Sequence, residues 1–246
     1  MKDQRRVAIP GLSPFLKNYP GMTIRPTTGH GLIMHGKFCF SAQPEGGVEI
    51  TDTYNLRIEV PKAFPFDLPR VTELDDKIPR TGKYHVNPDG TLCLGSPLRL
   101  LWKLSRKPTL SGFASDCLVP YLYAVSHKLK FGGDLPFSEL EHGTPGALQD
   151  YADLFSLEQP EQAQRALHLL GMKKVLANKQ PCPCGCGKKL KACQFNKTIS
   201  KFRRLAHRSW FKALSDTDFT KLKNESKELE VKSFLDRLLR EAKAKT

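Results

Sequence analysis

Leu56-Arg57-Ile58-Glu59-Val60-Pro61-Lys62-Ala63-Phe64-Pro65-Phe66-Asp67-Leu68-Pro69-Arg70-Val71 carries two backbone signals in one run. Leu56, Ile58 and Val60 alternate with Arg57 and Glu59, the pattern of a strand with one wet face. The pattern stops at Pro61, and Pro65 and Pro69 follow at equal intervals. Each proline fixes φ and removes a backbone donor, so this stretch is a stiff extended connector rather than a helix or strand interior. Phe64, Phe66 and Leu68 give it an apolar side for packing on a sheet. Val71 to Leu74 reads as a short further strand.

Working outward, Leu32, Met34, Phe38 and Phe40 alternate with His35 and Lys37, which predicts an earlier strand. Gln43-Pro44-Glu45-Gly46-Gly47 is a turn, so this strand and the one from Ile50 to Val60 form an antiparallel pair. The prolines at 10, 14 and 20 discourage a long helix at the start. On the other side lies Tyr84-His85-Val86-Asn87-Pro88-Asp89-Gly90-Thr91-Leu92-Cys93-Leu94-Gly95. Asn-Pro-Asp-Gly is turn chemistry, and it delivers a cysteine bracketed by two leucines. A thiol held by apolar anchors just past a loop, with His85 and Asn87 upstream, suits a positioned nucleophile. A half-buried packing cysteine is the plainer alternative.

Leu98 to Lys107 reads as a basic, apolar loop. An apolar helix from about Gly112 to Leu129 follows, ended by Phe131-Gly132-Gly133-Asp134. Thr144 and Pro145 then start a helix running to about Phe155, and Pro160 starts another ending near Leu170.

The order of these pieces resembles the ubiquitin-conjugating (UBC) fold. That family carries an alternating strand, a Phe-Pro-rich connector, His-Pro-Asn, and then Asp-Gly-x-[IL]-Cys-Leu. Leu56 through Val71 fits the first part, Asp89-Gly90-Thr91-Leu92-Cys93-Leu94 fits the last, and Trp102 is similar to the family's downstream tryptophan. His85-Val86-Asn87 stands where the family has His-Pro-Asn, in a loop two residues shorter. The resemblance covers about residues 20–155 and implies an α+β fold, an antiparallel sheet meander with packed helices. It implies that Cys93 carries a thioester to a ubiquitin-like modifier received from a separate activating enzyme, and passes it to an amine on a target protein. Asn87 would stabilise the tetrahedral oxyanion, and His85 would pack the loop or touch the chemistry. Pro136-Phe137-Ser138-Glu139-Leu140-Glu141-His142-Gly143 looks like a loop of bacterial relatives in which a downstream histidine shares the active-site work; His142 is that candidate base. Such bacterial relatives often sit beside antiviral-defence or signalling genes. Cys39 and Cys117 read as structural.

The formal charge of +14 is uneven. Residues 1–155 hold 18 lysines and arginines against 16 acids, whereas residues 156–246 hold 21 against 9. The sequence therefore divides into a conjugating domain at 1–157 and a basic helical tail at 158–246, whose partner would be nucleic acid or an acidic protein. The longest apolar stretch, Cys117 to Val125, is too short to span a bilayer, and no signal peptide is evident at the N-terminus. Seven cysteines, four of them crowded into 182–193, do not form a secreted disulfide pattern. These features place the expected location in the cytoplasm.

Cys182-Pro183-Cys184-Gly185-Cys186-Gly187-Lys188-Lys189-Leu190-Lys191-Ala192-Cys193-Gln194 suits a zinc ion. Thiolates favour the metal, glycines let the backbone wrap it, and lysines offset the charge. The stretch resembles the SEC-C zinc knuckle, which implies Cys182, Cys184 and Cys193 as ligands and puts Gln194 at the fourth position. Cys186 or His207 would then complete the set, or the site is degraded. Beyond it, hydrophobic residues between Ile199 and Leu214 fall near helical spacing, and a last helix is expected from about Asp216 to Ala244. The reading is thus an α+β conjugating domain, a zinc knuckle at 182–194 and basic C-terminal helices. A non-catalytic UBC-like scaffold and a zinc-containing nucleic-acid binder are the rivals.

Overall fold

Alternation along residues 50–61 has a direct physical result: Tyr54, Leu56, Ile58 and Val60 are buried on one face of a strand while the residues between them stay wetter. In a computed structural model, which describes residues 9–26, 31–135 and 144–216, this strand is β3 (Ile50–Pro61). It pairs antiparallel with β2 (Gly31–Ala42) and with β4 (Arg70–Glu73). A further strand, β1 (Met22–Arg25), adds to the other side of β2, so the sheet order is β1-β2-β3-β4. The chain divides into two compact units, 1–139 and 140–246.

In the first unit the helix α1 (Leu12–Asn18) precedes β1. Proline discourages a long helix there, yet seven residues form one and bury Phe15 against Phe38 of β2. The β1–β2 contact depends on glycine: a Cβ at Gly36, where φ is +134°, would lie 2.1 Å from the Gly21 carbonyl oxygen. The Pro-rich connector buries Phe64 but leaves Phe66 48% exposed, so only part of its apolar side reaches the sheet.

Residues 98–107 correct the expected loop. Pro97–Leu104 is the helix α2, with Pro97 in its first turn and Leu98, Leu101 and Leu104 inward. Of its cations, Arg99 and Lys103 are half-buried on the helix, whereas Arg106 and Lys107 lie in the turn that follows it. The long apolar helix runs as α3 (Leu110–Phe113), a wide π turn (Ala114–Leu118) and α4 (Val119–Phe131). Thr109 caps it, its hydroxyl accepting from the Gly112 N–H at 3.0 Å. The wide turn lies just before Pro120, whose missing N–H interrupts the usual ladder. Leu118, Leu122 and Val125 cover the sheet.

The second unit starts with α5 (Thr144–Phe155) and α6 (Pro160–Gly171). The carbonyl oxygen of the Gln162 side chain accepts from the N–H groups of Glu158 and Gln159, which fixes the entry to α6. The boundary thus falls at 139/140 rather than 157/158, because α5 packs on α6 and sends Phe155 against Phe202. A short helix α7 (Lys174–Ala177), a cysteine hairpin and α8 (Phe195–Phe202) follow. Arg203 holds the end of α6, donating to the carbonyls of Leu169, Leu170 and Met172 at 2.5–3.3 Å. The helical spacing between Ile199 and Leu214 is broken by a turn at 203–206 before helix resumes at 208. The last helix predicted, from Asp216 to Ala244, lies almost wholly outside the described residues.

Candidate functional site

The candidate groups fall into two sets, one in each unit. In the first, Asn-Pro-Asp-Gly closes as a β-turn, with the Gly90 N–H donating to the Asn87 carbonyl at 2.9 Å and Gly90 at φ +80°. The chain returns as a hairpin in which Val86 pairs with Leu92. The Leu92 N–H donates to the Val71 carbonyl, and Thr91 pairs with Thr72, so the returning arm lies along β4. Leu92 enters the core, Leu94 packs partly buried against it, and Cys93 between them is half-buried.

The cysteine is positioned through its backbone. Its N–H donates to the His85 carbonyl at 2.8 Å, and His85 is left-handed at φ +51°. Asn87 is exposed, and its amide donates to the Thr91 hydroxyl at 3.0 Å, closing the turn. A cleft of about 350 Å³ opens beside this turn, lined by Arg80, Thr81, Gly82 and residues 86–90. Asp89 accepts from both the hydroxyl and the N–H of Thr91, and it pairs with Arg70 at 2.6 Å. Those Thr91 hydrogen bonds, with the Arg70 charge, hold the Asp89 carboxyl below the usual range. The sign follows: a depressed carboxylate stabilises the hairpin above its unfolded pKa and ceases to as pH falls through the folded one. Protection of the Thr91 and Cys93 amides, taken relative to their intrinsic exchange rates, is therefore expected to fall as pH drops through the depressed Asp89 value, and Asp89→Ala should already be poorly protected at neutral pH with that dependence removed.

Tyr121, a residue the sequence reading passed over as helix core, also supports this site. It is buried on α4, and its hydroxyl donates to the Tyr84 carbonyl at 2.8 Å. Burial, and then the charge of the nearby Cys93, push its phenol well above the usual range, so it stays a neutral donor. Lys128, about two turns further along α4, donates to the Lys83 carbonyl and lies over the Tyr84 ring. The helix thereby grips the turn that positions His85 and Cys93. Two tyrosines within the apolar stretch Cys117 to Val125 were the available signal, since a buried phenol needs a partner. His142 lies outside the described residues. Cys117 is buried, which pushes its thiol up to about 11, and Cys39 is exposed on β2 with the Thr53 hydroxyl donating to its sulfur.

In the second unit, the sulfurs of Cys182, Cys184, Cys186 and Cys193 all lie within 4.8 Å of one another. Pro181 pairs with Lys189, and the Cys182 N–H donates to the Lys188 carbonyl, so the first three cysteines sit on a tight hairpin. Gly185 and Gly187 are left-handed at φ +79° and +72°, which lets the backbone turn tightly on either side of Cys186. Cys193 arrives from the next turn, and its sulfur accepts from the Phe195 N–H at 3.4 Å. That bond, ahead of an opposing burial effect, holds the Cys193 thiol down at about 7, while burial pushes Cys182 and Cys184 up. Cys186, not His207, completes the set, and Gln194 instead starts α8.

No family model, no curated protein and no solved structure matches this chain. The four-cysteine cluster fits a metal on its own chemistry. A tetrahedral ion with metal–sulfur bonds of about 2.3 Å needs sulfurs about 3.8 Å apart. Here Cys182–Cys184 and Cys184–Cys193 are 3.2 and 3.6 Å apart. No helix among the described residues is long and apolar enough to cross a membrane.

Proposed function

We propose that this chain is a conjugating enzyme of the ubiquitin-like type, with Cys93 as the acyl carrier. The observation that carries the reading is a half-buried thiol on a residue whose backbone N–H donates to the His85 carbonyl, on a hairpin along β4 and between leucines packed on the core. Such a thiol is reachable while its backbone is fixed, as transthiolation requires.

The Cys93 thiolate attacks the carbonyl of a modifier held as a thioester on a separate activating enzyme. A new carbon–sulfur bond forms, and the activating enzyme's thiolate leaves. An amine of the target then attacks the same carbonyl, the Cys93 thiolate leaves, and the amine proton passes to a base, for which His142 is the candidate. Asn87 stands close in sequence as the neutral donor to the oxyanion. Its present bond to Thr91 would have to exchange for that one. Cys182, Cys184, Cys186 and Cys193 would hold a structural zinc ion, which supplies a cross-link rather than a reaction step.

The reading is tested by purifying the tagged protein from its native host without reductant. A slower-migrating form that thiol reductant collapses, absent in Cys93→Ala, is the expected result. A shifted form that persists in Cys93→Ala contradicts it, and wild type without any adduct moves the scaffold reading ahead.

A further inference from the structure

Between residues 162 and 215 the chain carries 13 lysines and arginines and no aspartate or glutamate. Part of that charge has internal work. Arg203 and Arg208 donate to carbonyls at the end of α6 and just beyond it. Lys188, Lys189 and Lys191 sit on or beside the cysteine hairpin, where four thiolates around a divalent ion would leave two net negative charges.

The segment between α6 and the hairpin combines charge with apolar surface. Lys173, Lys174 and Lys179 are exposed in and around α7, and two aliphatic side chains stand among them. Val175 is 69% exposed and Leu176 49%. Single exposed aliphatics are ordinary on any protein, and a neighbouring pair would be ordinary on a frayed loop. This backbone is pinned at both ends. Arg203 donates to the Met172 carbonyl at 3.0 Å, and the Lys191 N–H donates to the Asn178 carbonyl at 3.2 Å. Ala177, two residues on from Val175 and so on the opposite side of the turn, is fully buried. The turn therefore holds its apolar pair outward, and hiding that pair would break these contacts.

We infer that α7 and its flanking lysines dock on an anionic membrane surface, lying on the bilayer without crossing it. Three kinds of acidic partner fit a basic surface, and the apolar pair separates them. A nucleic-acid backbone satisfies the lysines but gains nothing from aliphatic side chains, and bases stack on aromatic rings, which this turn lacks. Protein interfaces favour aromatic residues, methionine and arginine at their centre and are poor in lysine. Val175 and Leu176 flanked by lysines have the opposite composition. A bilayer surface accepts both parts. Aliphatic side chains enter the boundary below the headgroups with no shaped pocket, and lysines reach anionic headgroups from long apolar stems. This surface is independent of the chemistry proposed for Cys93.

The test is co-sedimentation of the full chain with vesicles of phosphatidylcholine, alone or with about 30% phosphatidylglycerol, at about 0.1 M salt. The expected result is binding to the anionic vesicles, roughly tenfold or more above the neutral ones. Val175→Ser with Leu176→Ser should cut that affinity roughly tenfold and leave its salt dependence in place. Lys173→Gln with Lys174→Gln and Lys179→Gln should cut it roughly 100-fold, since each lysine at an anionic surface contributes about fivefold. Cys93→Ala should bind as wild type does. Circular dichroism checks that the variants are folded. Leu176→Trp reads insertion without any loss of binding: on anionic vesicles its emission should move to the blue and be quenched by brominated lipid beyond the wild-type level.

No binding to anionic vesicles overturns the inference, as does equal binding to neutral ones. Full affinity in the folded serine variant, or Leu176→Trp emission unmoved by brominated lipid, would show that the apolar pair does not enter the bilayer and overturns it as well. Displacement from the vesicles by a DNA duplex at equal charge would overturn it in favour of a nucleic acid. Displacement by polyglutamate at equal charge would do so in favour of an acidic protein.

Discussion

With zinc held at the Cys182–Cys193 hairpin as proposed, chelation is expected to loosen much of the second unit. The hairpin has almost no apolar content of its own: Cys182, Pro183 and Leu190 are its buried residues, and its other positions are glycines, lysines, the exposed Ala192 and half-exposed or exposed cysteines. Without a cross-link, two left-handed glycines and four thiols have little to hold them against chain entropy. The hairpin nevertheless leads directly into α8, with the Asn196 N–H donating to the Cys193 carbonyl and the Phe195 N–H to the Cys193 sulfur. Losing it therefore frees the start of α8 and the Phe195 and Phe202 rings that meet Phe155. A ligand present at about 1,000 times its dissociation constant contributes roughly 4 kcal/mol. For a unit of this size that corresponds to a fall in melting midpoint of roughly 15 °C or more on chelation. Zinc should restore it, and acid should release the metal because protons compete for the thiolates. Calorimetry with and without chelator, and with Cys184→Ser, measures this. An unchanged midpoint would mean that the cluster is a metal-free loop.

Phe155→Ala should be nearly as damaging, and selectively so. Phe155 is 2% exposed, meets Phe202 edge-on at 4.7 Å between ring centroids, and lies 6.4 Å from the Phe195 ring. Truncating a buried phenylalanine costs roughly 3–5 kcal/mol, the upper part applying where aromatic partners lose a geometry-specific contact. Because α5 belongs to the second unit, this loss should appear in the melting of that unit, with the Cys93 hairpin undisturbed. Hydrogen exchange resolved by segment distinguishes the cases. Faster exchange in α6 and α8 alone is the expected pattern. Faster exchange in β2 and β3 alone would return α5 to the first unit.

Those rings also show where the sequence was readable. Ile50 to Val60 and Leu32 to Phe40 alternate cleanly because one face of each strand meets the core, so their partnership could be read from period alone. The Met22–Arg25 strand could not, since only Met22 is buried in its burial pattern and its pairing rests on a close approach of Gly21 to Gly36. Pro97 and the scattered cations after it looked like loop, and Arg106 and Lys107 do lie in the turn that ends α2; only the spacing of Leu98, Leu101 and Leu104 records the helix's inner face. The 157/158 boundary followed a composition shift, whereas the physical boundary follows aromatic packing between residues far apart in sequence. At the site, Asn-Pro-Asp-Gly announced its turn and the cysteines announced their cluster. Tyr121 stayed hidden because its bond to the Tyr84 carbonyl spans 37 residues, which no local pattern records.

The reading of Cys93 as an acyl carrier is tested most directly by Cys93→Ser expressed with its activating enzyme and modifier in the native host. An oxygen ester is far less exchangeable with thiols than a thioester, so the substitution traps what the wild type only passes on. Peptide mass mapping should find the modifier's C-terminal residue joined to the side chain at position 93, on a band that reductant leaves intact. Cys93→Ala should carry none. An adduct attached elsewhere, or equal adduct in Cys93→Ala, would show that Cys93 is not the carrier.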